Sequence, residues 1–204
     1  KRRSIHSYKD IPVEKDKWGR MIIAGTMAPS SGNLQTWKFI IVRQAKVRER
    51  IAHLCYEQTW MNQAPLYIVV CADVEHCERF FGERGAHIYA IQNSAACIEN
   101  MLLAATNMGL GTCWVGDFDE QGVVQLLGIP PTNRPVGIIT VGYANEELPT
   151  PQKAPLYRLT YFEEYGQRNE DLDLIFNNYS NYLRRKLGDA AKMFDSIVAK
   201  MKKK

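Results

Sequence analysis

Histidine is scarce in this chain, and the motifs that are missing narrow its chemistry before those that are present. Only His6, His53, His76 and His87 occur in 204 residues, and no two stand at i, i+4, the spacing that sets two imidazoles on one helix face around zinc. There is no G-x-S-x-G elbow for a serine nucleophile and no G-x-x-x-x-G-K phosphate loop. Gly109-Leu110-Gly111 lacks the third glycine of a dinucleotide fingerprint, and it follows a helical stretch where the fingerprint requires a strand. The reactive chemistry is therefore expected from a bound cofactor rather than from a catalytic side chain or a metal.

No apolar run approaches the roughly 20 residues needed to span a bilayer. The basic opening Lys1-Arg2-Arg3-Ser4-Ile5-His6 leads into no hydrophobic stretch, so neither a membrane association nor a secretory signal is expected. The cysteines (Cys55, Cys71, Cys77, Cys97 and Cys113) form an odd set without C-x-x-C spacing. Most lie among apolar neighbours, which predicts buried reduced thiols and a cytoplasmic setting. Net charge is +4. Residues 166–204 hold nine Lys/Arg against five Asp/Glu, and the other 165 residues balance at 17 of each sign. The body is thus no polyanion binder, and the acidic residues of the tail argue against dedicated nucleic-acid binding there.

Hydrophobic residues make up 46% and charged residues 24%, enough for one well-buried α/β domain. A helix is predicted to start at Asp10-Ile11-Pro12, to carry Trp18, Met21, Ile22 and Gly25 inward, and to stop at Pro29-Ser30-Ser31-Gly32-Asn33. Phe39–Val42 and Leu66–Cys71 read as buried strands, with a helix over 46–60 between them. The clearest element covers 86–108, where Ile88, Ile91, Ala95, Ile98, Leu102 and Ala105 recur at helical spacing and apolar residues also occupy other faces, as in a central helix. Thr112–Val115 begins a strand, a short helix follows Asp119 and closes at Gly128, and Val136–Tyr143 is a last central strand. The alternation predicts helices layered on a sheet. From Ile175, the spacing of Tyr179, Leu183, Leu187, Ala190, Phe194, Ile197/Val198 and Met201 predicts an amphipathic helix or pair of helices, weakened at Gly188, with Lys202 to Lys204 solvated.

Four segments, read together, resemble the nitroreductase family. Arg2-Arg3-Ser4-Ile5-His6-Ser7-Tyr8 is similar to its opening R-R-S-x-R-x-[FY]; guanidinium forks and a hydroxyl suit a phosphate. Ala28-Pro29-Ser30-Ser31-Gly32-Asn33-Leu34-Gln35-Thr36-Trp37-Lys38-Phe39 resembles P-S-S-x-N-x-Q-P-W-x-F, a polar loop feeding a strand. Gln58 precedes Ala64-Pro65 as the family's ring-binding Gln or Asn does. Gly109-Leu110-Gly111-Thr112-Cys113-Trp114-Val115-Gly116 is similar to G-L-G-x-x-W-x-G, and a residue without Cβ at Gly116 lets backbone approach a flavin. Lys153, before Pro155, takes the place of a late basic residue.

The resemblance, over about residues 2–165, implies an α/β (α+β) layered fold with a central mixed sheet flanked by helices, in an intertwined homodimer with FMN at the interface. It implies a flavin domain over 1–165 and a C-terminal helical extension over 166–204 that embraces the partner. It further implies a ping-pong reaction in which NADH or NADPH reduces the flavin and a small acceptor (nitroaromatic, quinone or flavin) takes the electrons. Arg2, Arg3, Ser4, His6 and Lys153 are implied at the phosphate; Pro29, Ser30, Ser31, Asn33, Gln58, Val115 and Gly116 are implied at the ring and ribityl chain, and no side chain is an obligate acid or base. The chain departs from the pattern at three places: His6 stands for an arginine, Thr36 for the proline before Trp37, and Asn93 for an aspartate of the central helix. The same scaffold also serves reductive dehalogenation, flavin cleavage or ferredoxin-linked reduction. A non-enzymatic binder acting through the basic tail is the alternative of another class.

Overall fold

The computed structural model describes residues 2–168 and 179–201. The chain divides into two compact units, Lys1–Thr150 and Pro151–Lys204, a division ahead of the boundary expected at 165.

In the first unit, strands β1 (Trp37–Val42), β2 (Leu66–Asp73), β3 (Gly111–Val115) and β4 (Asn133–Gly142) form one sheet in the order β1-β2-β4-β3. All three pairings are antiparallel, and mixed character enters through an isolated parallel bridge between Ser4 and Thr112. Alternation along a strand sends successive side chains to opposite faces, and β2 uses both. Tyr67, Val69 and Cys71 pack on one face with Ile51, Ala52 and Val123. Leu66, Ile68 and Val70 pack on the other with Met21, Ile98, Met101 and Leu102. Helices α2 (Ala45–Leu54) and α5 (Glu120–Leu127) therefore cover the first face, and α1 (Lys15–Thr26) and α4 (Ala90–Asn107) the second. Each fully buried large aliphatic side chain contributes about 1.5–3 kcal/mol, so this doubly covered strand anchors the fold.

Several boundaries move for local reasons. Helix α1 begins at Lys15, not near Pro12, because Lys9 donates its N–H to Tyr143 O and Asn145 to Ser7 O, holding the preceding chain extended against β4. Helix α2 ends at Leu54, since Tyr56 and Glu57 adopt left-handed φ values of 53° and 59°. The single helix expected over 86–108 is a π turn at Gly85–Tyr89 followed by α4. It is preceded by α3 (Val74–Arg84), which the sequence pattern did not reveal and which Gly82 interrupts. Asp119 caps α5 through the Gly122 N–H, and Gly128 ends that helix in the left-handed conformation. All five cysteines are buried and free.

The second unit holds α6 (Leu156–Leu159) and α7 (Tyr179–Met201). Helix α7 runs unbroken through Gly188, one helix rather than two, and Leu183, Leu187 and Phe194 on it are exposed. Ile175, Lys202 to Lys204 and the side chains of Tyr179, Ile197, Val198 and Met201 lie outside the described residues. Among the described residues no helix is long and apolar enough to cross a membrane.

Candidate functional site

The chain's opening is stitched to the ends of β3 and β4. Ile5 donates its N–H to Thr112 O at 3.0 Å, and Tyr8 bridges to Ala144. The buried Tyr8 hydroxyl bonds Ile5 O and Thr140 Oγ1, both at 2.7 Å. Glu146 clamps the outer side, accepting from the backbone N–H groups of His6 at 2.6 Å and Ser7 at 2.9 Å. Those two donors hold its carboxyl below the usual carboxylate range.

This stitching gathers three of the expected phosphate residues around Cys113 on β3. Ser4 and Arg2 lie near enough to the thiol to favour its charged form, and His6 Nε2 lies 3.6 Å from Sγ. Burial pushes the Cys113 thiol up, and Ser4 and Arg2 pull it partly back. It is therefore a neutral partner near neutral pH rather than a nucleophile. Arg2 reaches Glu99 of α4, Nε to Oε1 at 3.4 Å, and the His6 ring stands edge-on to Trp60. Arg3 goes elsewhere: it donates to Pro149 O and Arg2 O at 3.0 and 2.7 Å, and to Thr150 Oγ1. With Ile5, Gly109–Gly111 and residues 146–148 it lines a separate cavity of about 680 Å³. Neighbouring residues of an extended chain point to opposite sides, so Arg2 and Arg3 cannot serve one ligand from the same face.

The Pro29–Thr36 loop follows α1. Ser31–Asn33 makes a single 3₁₀ turn, and Gly32, Asn33 and Gln35 take φ values of 58°, 57° and 50°. Asn33 and Gln35 have no glycine's freedom, and each such residue costs about 1–3 kcal/mol. The loop meets part of that cost itself: Gln35 N–H donates to Ser30 Oγ, Asn33 N–H to Ser30 O and Leu34 N–H to Ser31 O. Beneath it Asn93 of α4 bonds Ser31 and Thr36. Pro29 and Asn33 are exposed, while Ser30 and Ser31 are half-buried.

Gln58 is half-buried at the start of the 3₁₀ turn Thr59–Gln63, two residues from Trp60 and hence close in the chain to the His6 contact. Val115 is buried at the end of β3, and Gly116 follows it, exposed. A Cβ on Gly116 would meet no atom within 4 Å, so its missing side chain answers no packing need of this chain and leaves room for a planar group. From Cys113 to Gly116 the extended chain advances roughly 10 Å. A phosphate-type donor set of guanidinium, hydroxyl and imidazole thus gathers at Cys113 in the middle of β3, and an open glycine follows the strand's end. That donor set fits a phosphorylated heterocycle. Lys153 belongs to the second unit, exposed in a segment without regular structure. Trp60, Cys113, Glu99 and Glu146 escaped the sequence reading of the site. Cys113 lay inside the quoted glycine strand, whereas the others meet it only through non-local pairing.

A model described as the nitroreductase family matches residues 1–60 and 53–143. The chain is 30% identical over 150 residues to a protein of Archaeoglobus fulgidus named provisionally as an NADH dehydrogenase/NAD(P)H nitroreductase, covering 72% of this chain and 83% of that one. It is 27% identical to the FMN reductase [NAD(P)H] of Bacillus subtilis, over 82% of this chain and 73% of the relative. Among solved structures, the FMN-dependent nitroreductase of Clostridium difficile R20291 superposes with a TM-score of 0.70 at 28% identity, covering 81% of this chain and 96% of that one.

Proposed function

The chain belongs to the nitroreductase family, and we propose on that premise that it is an FMN-dependent oxidoreductase carrying electrons from NADH or NADPH to a small acceptor. The observation that carries the reading is the convergence of Arg2, Ser4 and His6 on Cys113 of β3, the strand that the open Gly116 directly follows.

When bound, FMN would supply the redox chemistry, taking hydride from the nicotinamide and giving electrons to the acceptor. The protein's share is binding and positioning. Arg2, Ser4 and His6 would hold the phosphate, with Trp60 fixing the His6 ring and Glu146 the backbone beneath it. Arg3 would keep the same segment in place from its other side through Pro149 and Thr150. Gln58, Val115 and Gly116 would address the ring and ribityl chain, and Pro29, Ser30, Ser31 and Asn33 would close over the ring of a partner subunit. The homodimer and the cytoplasmic setting belong to this proposal. Exposed apolar side chains support the dimer: Ile23 on α1 and Met27 just after it, Leu103 on α4, and Leu183, Leu187 and Phe194 on α7. The helix spanning the end of the chain is proposed to embrace that partner.

Purified protein should bind FMN, turn yellow, and bleach anaerobically on adding NADH or NADPH. A flavin-loaded protein that neither nicotinamide bleaches would point to another electron donor. A protein that refuses FMN would overturn the reading.

A further inference from the structure

Asn93 is a buried amide where the resemblance leads one to expect an aspartate, and both of its ends are engaged at the proposed flavin loop. It is 4% exposed. Its Oδ1 accepts from the Ser31 backbone N–H at 3.0 Å and from Ser31 Oγ at 3.2 Å. Its Nδ2 faces Thr36 Oγ1 at 3.3 Å and Cys77 Sγ at 3.8 Å. A backbone N–H can only donate, so the carbonyl end must face Ser31 and the NH₂ end the hydroxyl and thiol.

Ser31 and Thr36 bracket the residues with positive φ: Gly32, Asn33 and Gln35. A single side chain on α4 therefore ties both ends of a segment whose interior two ordinary residues would leave for the favoured backbone regions if released. The contacts inside the loop, such as Gln35 N–H to Ser30 Oγ, set its shape. The Asn93 contacts set its position on the molecule. The side chain at this place must offer a polar atom to each end of the loop: an amide or a carboxylate can take the Ser31 N–H and meet the Thr36 hydroxyl, which donates as well as accepts, whereas an apolar residue leaves the Ser31 N–H buried without a partner.

We propose that Asn93 is a positioning residue for the flavin, acting through Ser31 and Thr36 to hold the 30–35 loop where it meets the ring. The proposal rests on the FMN reading above. It also gives Ser31 a different part within that reading, since its N–H and hydroxyl proton point to Asn93, leaving the exposed Asn33 side chain as the loop's outward polar group.

The test compares the full-length protein with Asn93→Asp, Asn93→Leu, Thr36→Val, Thr36→Ser and the double variant Asn93→Leu/Thr36→Val. The readouts are FMN affinity by fluorescence titration, the visible spectrum and midpoint potential of the bound flavin, and the thermal midpoint without FMN. Asn93→Leu and Thr36→Val are each expected to weaken FMN about tenfold, the value of one lost buried hydrogen bond, and to shift spectrum and potential, whereas Asn93→Asp keeps an acceptor for the Ser31 N–H and the Thr36 hydroxyl and should stay close to the unmodified protein. Thr36→Ser keeps the hydroxyl and should stay close to the unmodified protein. The double variant should be no weaker than its weaker parent, because both changes break one tie. Asn93→Leu and Thr36→Val proteins that bind FMN with unaltered affinity, spectrum and potential overturn the proposal, whatever their thermal midpoints; a purely structural Asn93 would move only those midpoints. Should Asn93→Leu fail to fold, the Thr36 pair decides. If the unmodified protein itself binds no FMN, the FMN reading falls and the proposal with it. Faster amide exchange at Ser31 in Asn93→Leu would then still report a tie between α4 and the loop, separating the two failures.

Discussion

The imidazole of His6 meets the indole of Trp60 edge-on, with ring centroids 4.3 Å apart and planes at 80°. The contact fixes one χ of His6 while Nε2 stays beside Cys113, so the ring is pre-oriented toward the Arg2 and Ser4 side. Removing the ring should weaken FMN through the lost charge-assisted bond, worth about 1.5–3 kcal/mol. His6→Ala is expected to raise the FMN dissociation constant by about tenfold or more. Trp60→Ala should cost less, since the imidazole survives but loses its orientation, and Trp60→Phe should cost least. Fluorescence titration of the three proteins checks the order, and equal affinity in His6→Ala would remove His6 from the site.

Glu146 offers a second handle on the same segment. It accepts two backbone N–H groups, from His6 and Ser7, and its carboxyl is held below the usual range. The sign follows: its contribution is present above the ordinary carboxylate pKa and is lost as pH falls through the lowered value. Glu146→Ala should therefore loosen the opening residues already at neutral pH. Faster tryptic cleavage after Arg2, Arg3 and Lys9 in native protein is the expected outcome, together with weaker FMN binding.

The buried thiols set behaviour at the alkaline end. Burial raises Cys71 to about 11, and Cys55 and Cys97 to about 12, from an ordinary value of 9.0. A raised folded-state pKa leaves its contribution whole below the unfolded value and removes it as pH climbs through the folded one. Stability should hold to about pH 9 and then decline toward 11–12, seen as a falling urea midpoint. By the same desolvation, native protein at pH 7.5 should leave these thiols unmodified by iodoacetamide, and urea should expose them.

Much of the scaffold was legible from residue order because one-dimensional periodicity reports burial directly. Strand β2 is an unbroken apolar run and α4 repeats its apolar positions at helical spacing, and both stand where that pattern places them. Helix α3 was not legible: its Val74, Cys77 and Phe81 stripe is short and set among five charged residues, and Gly82 breaks its backbone. The candidate site was readable as motifs but not as geometry. Arg2 and Arg3 look equivalent in sequence, yet the bridge from Ser4 to Thr112 makes the segment extended and sends them apart. The roles of Asn93, Trp60 and Glu146 depend on pairings dozens of residues distant, which no local pattern encodes.

Two glycines separate packing from propensity. A Cβ on Gly85 would sit 2.3 Å from the Cys77 carbonyl oxygen, a backbone atom that cannot swing aside. Gly85→Ala should destabilise by about 1–3 kcal/mol, a fall of several degrees in the thermal midpoint for a chain of this size. Gly188, inside α7, has open space around it. Gly188→Ala should strengthen that helix by about 1 kcal/mol, read as a gain in helical ellipticity. The opposite signs test whether steric fit or helix propensity governs each place.

Gly116 supplies the sharpest division between fold and ligand. A Cβ there would meet no non-neighbouring atom of this chain within 4 Å, and its backbone carries no positive φ that only glycine would tolerate. Substitution should therefore leave the folded protein without FMN as stable as before, to within about 0.5 kcal/mol, as at other surface positions free of special features. If a flavin ring lies against that backbone, however, each added carbon occupies the space the ring requires. Gly116→Ala is expected to weaken FMN measurably and Gly116→Val far more, with thermal midpoints in the absence of FMN that stay together. Matched FMN titrations and melting curves on the three proteins make the measurement. Unchanged binding in Gly116→Val would place the ring elsewhere, whereas a fall in stability without FMN would show that the glycine serves the fold.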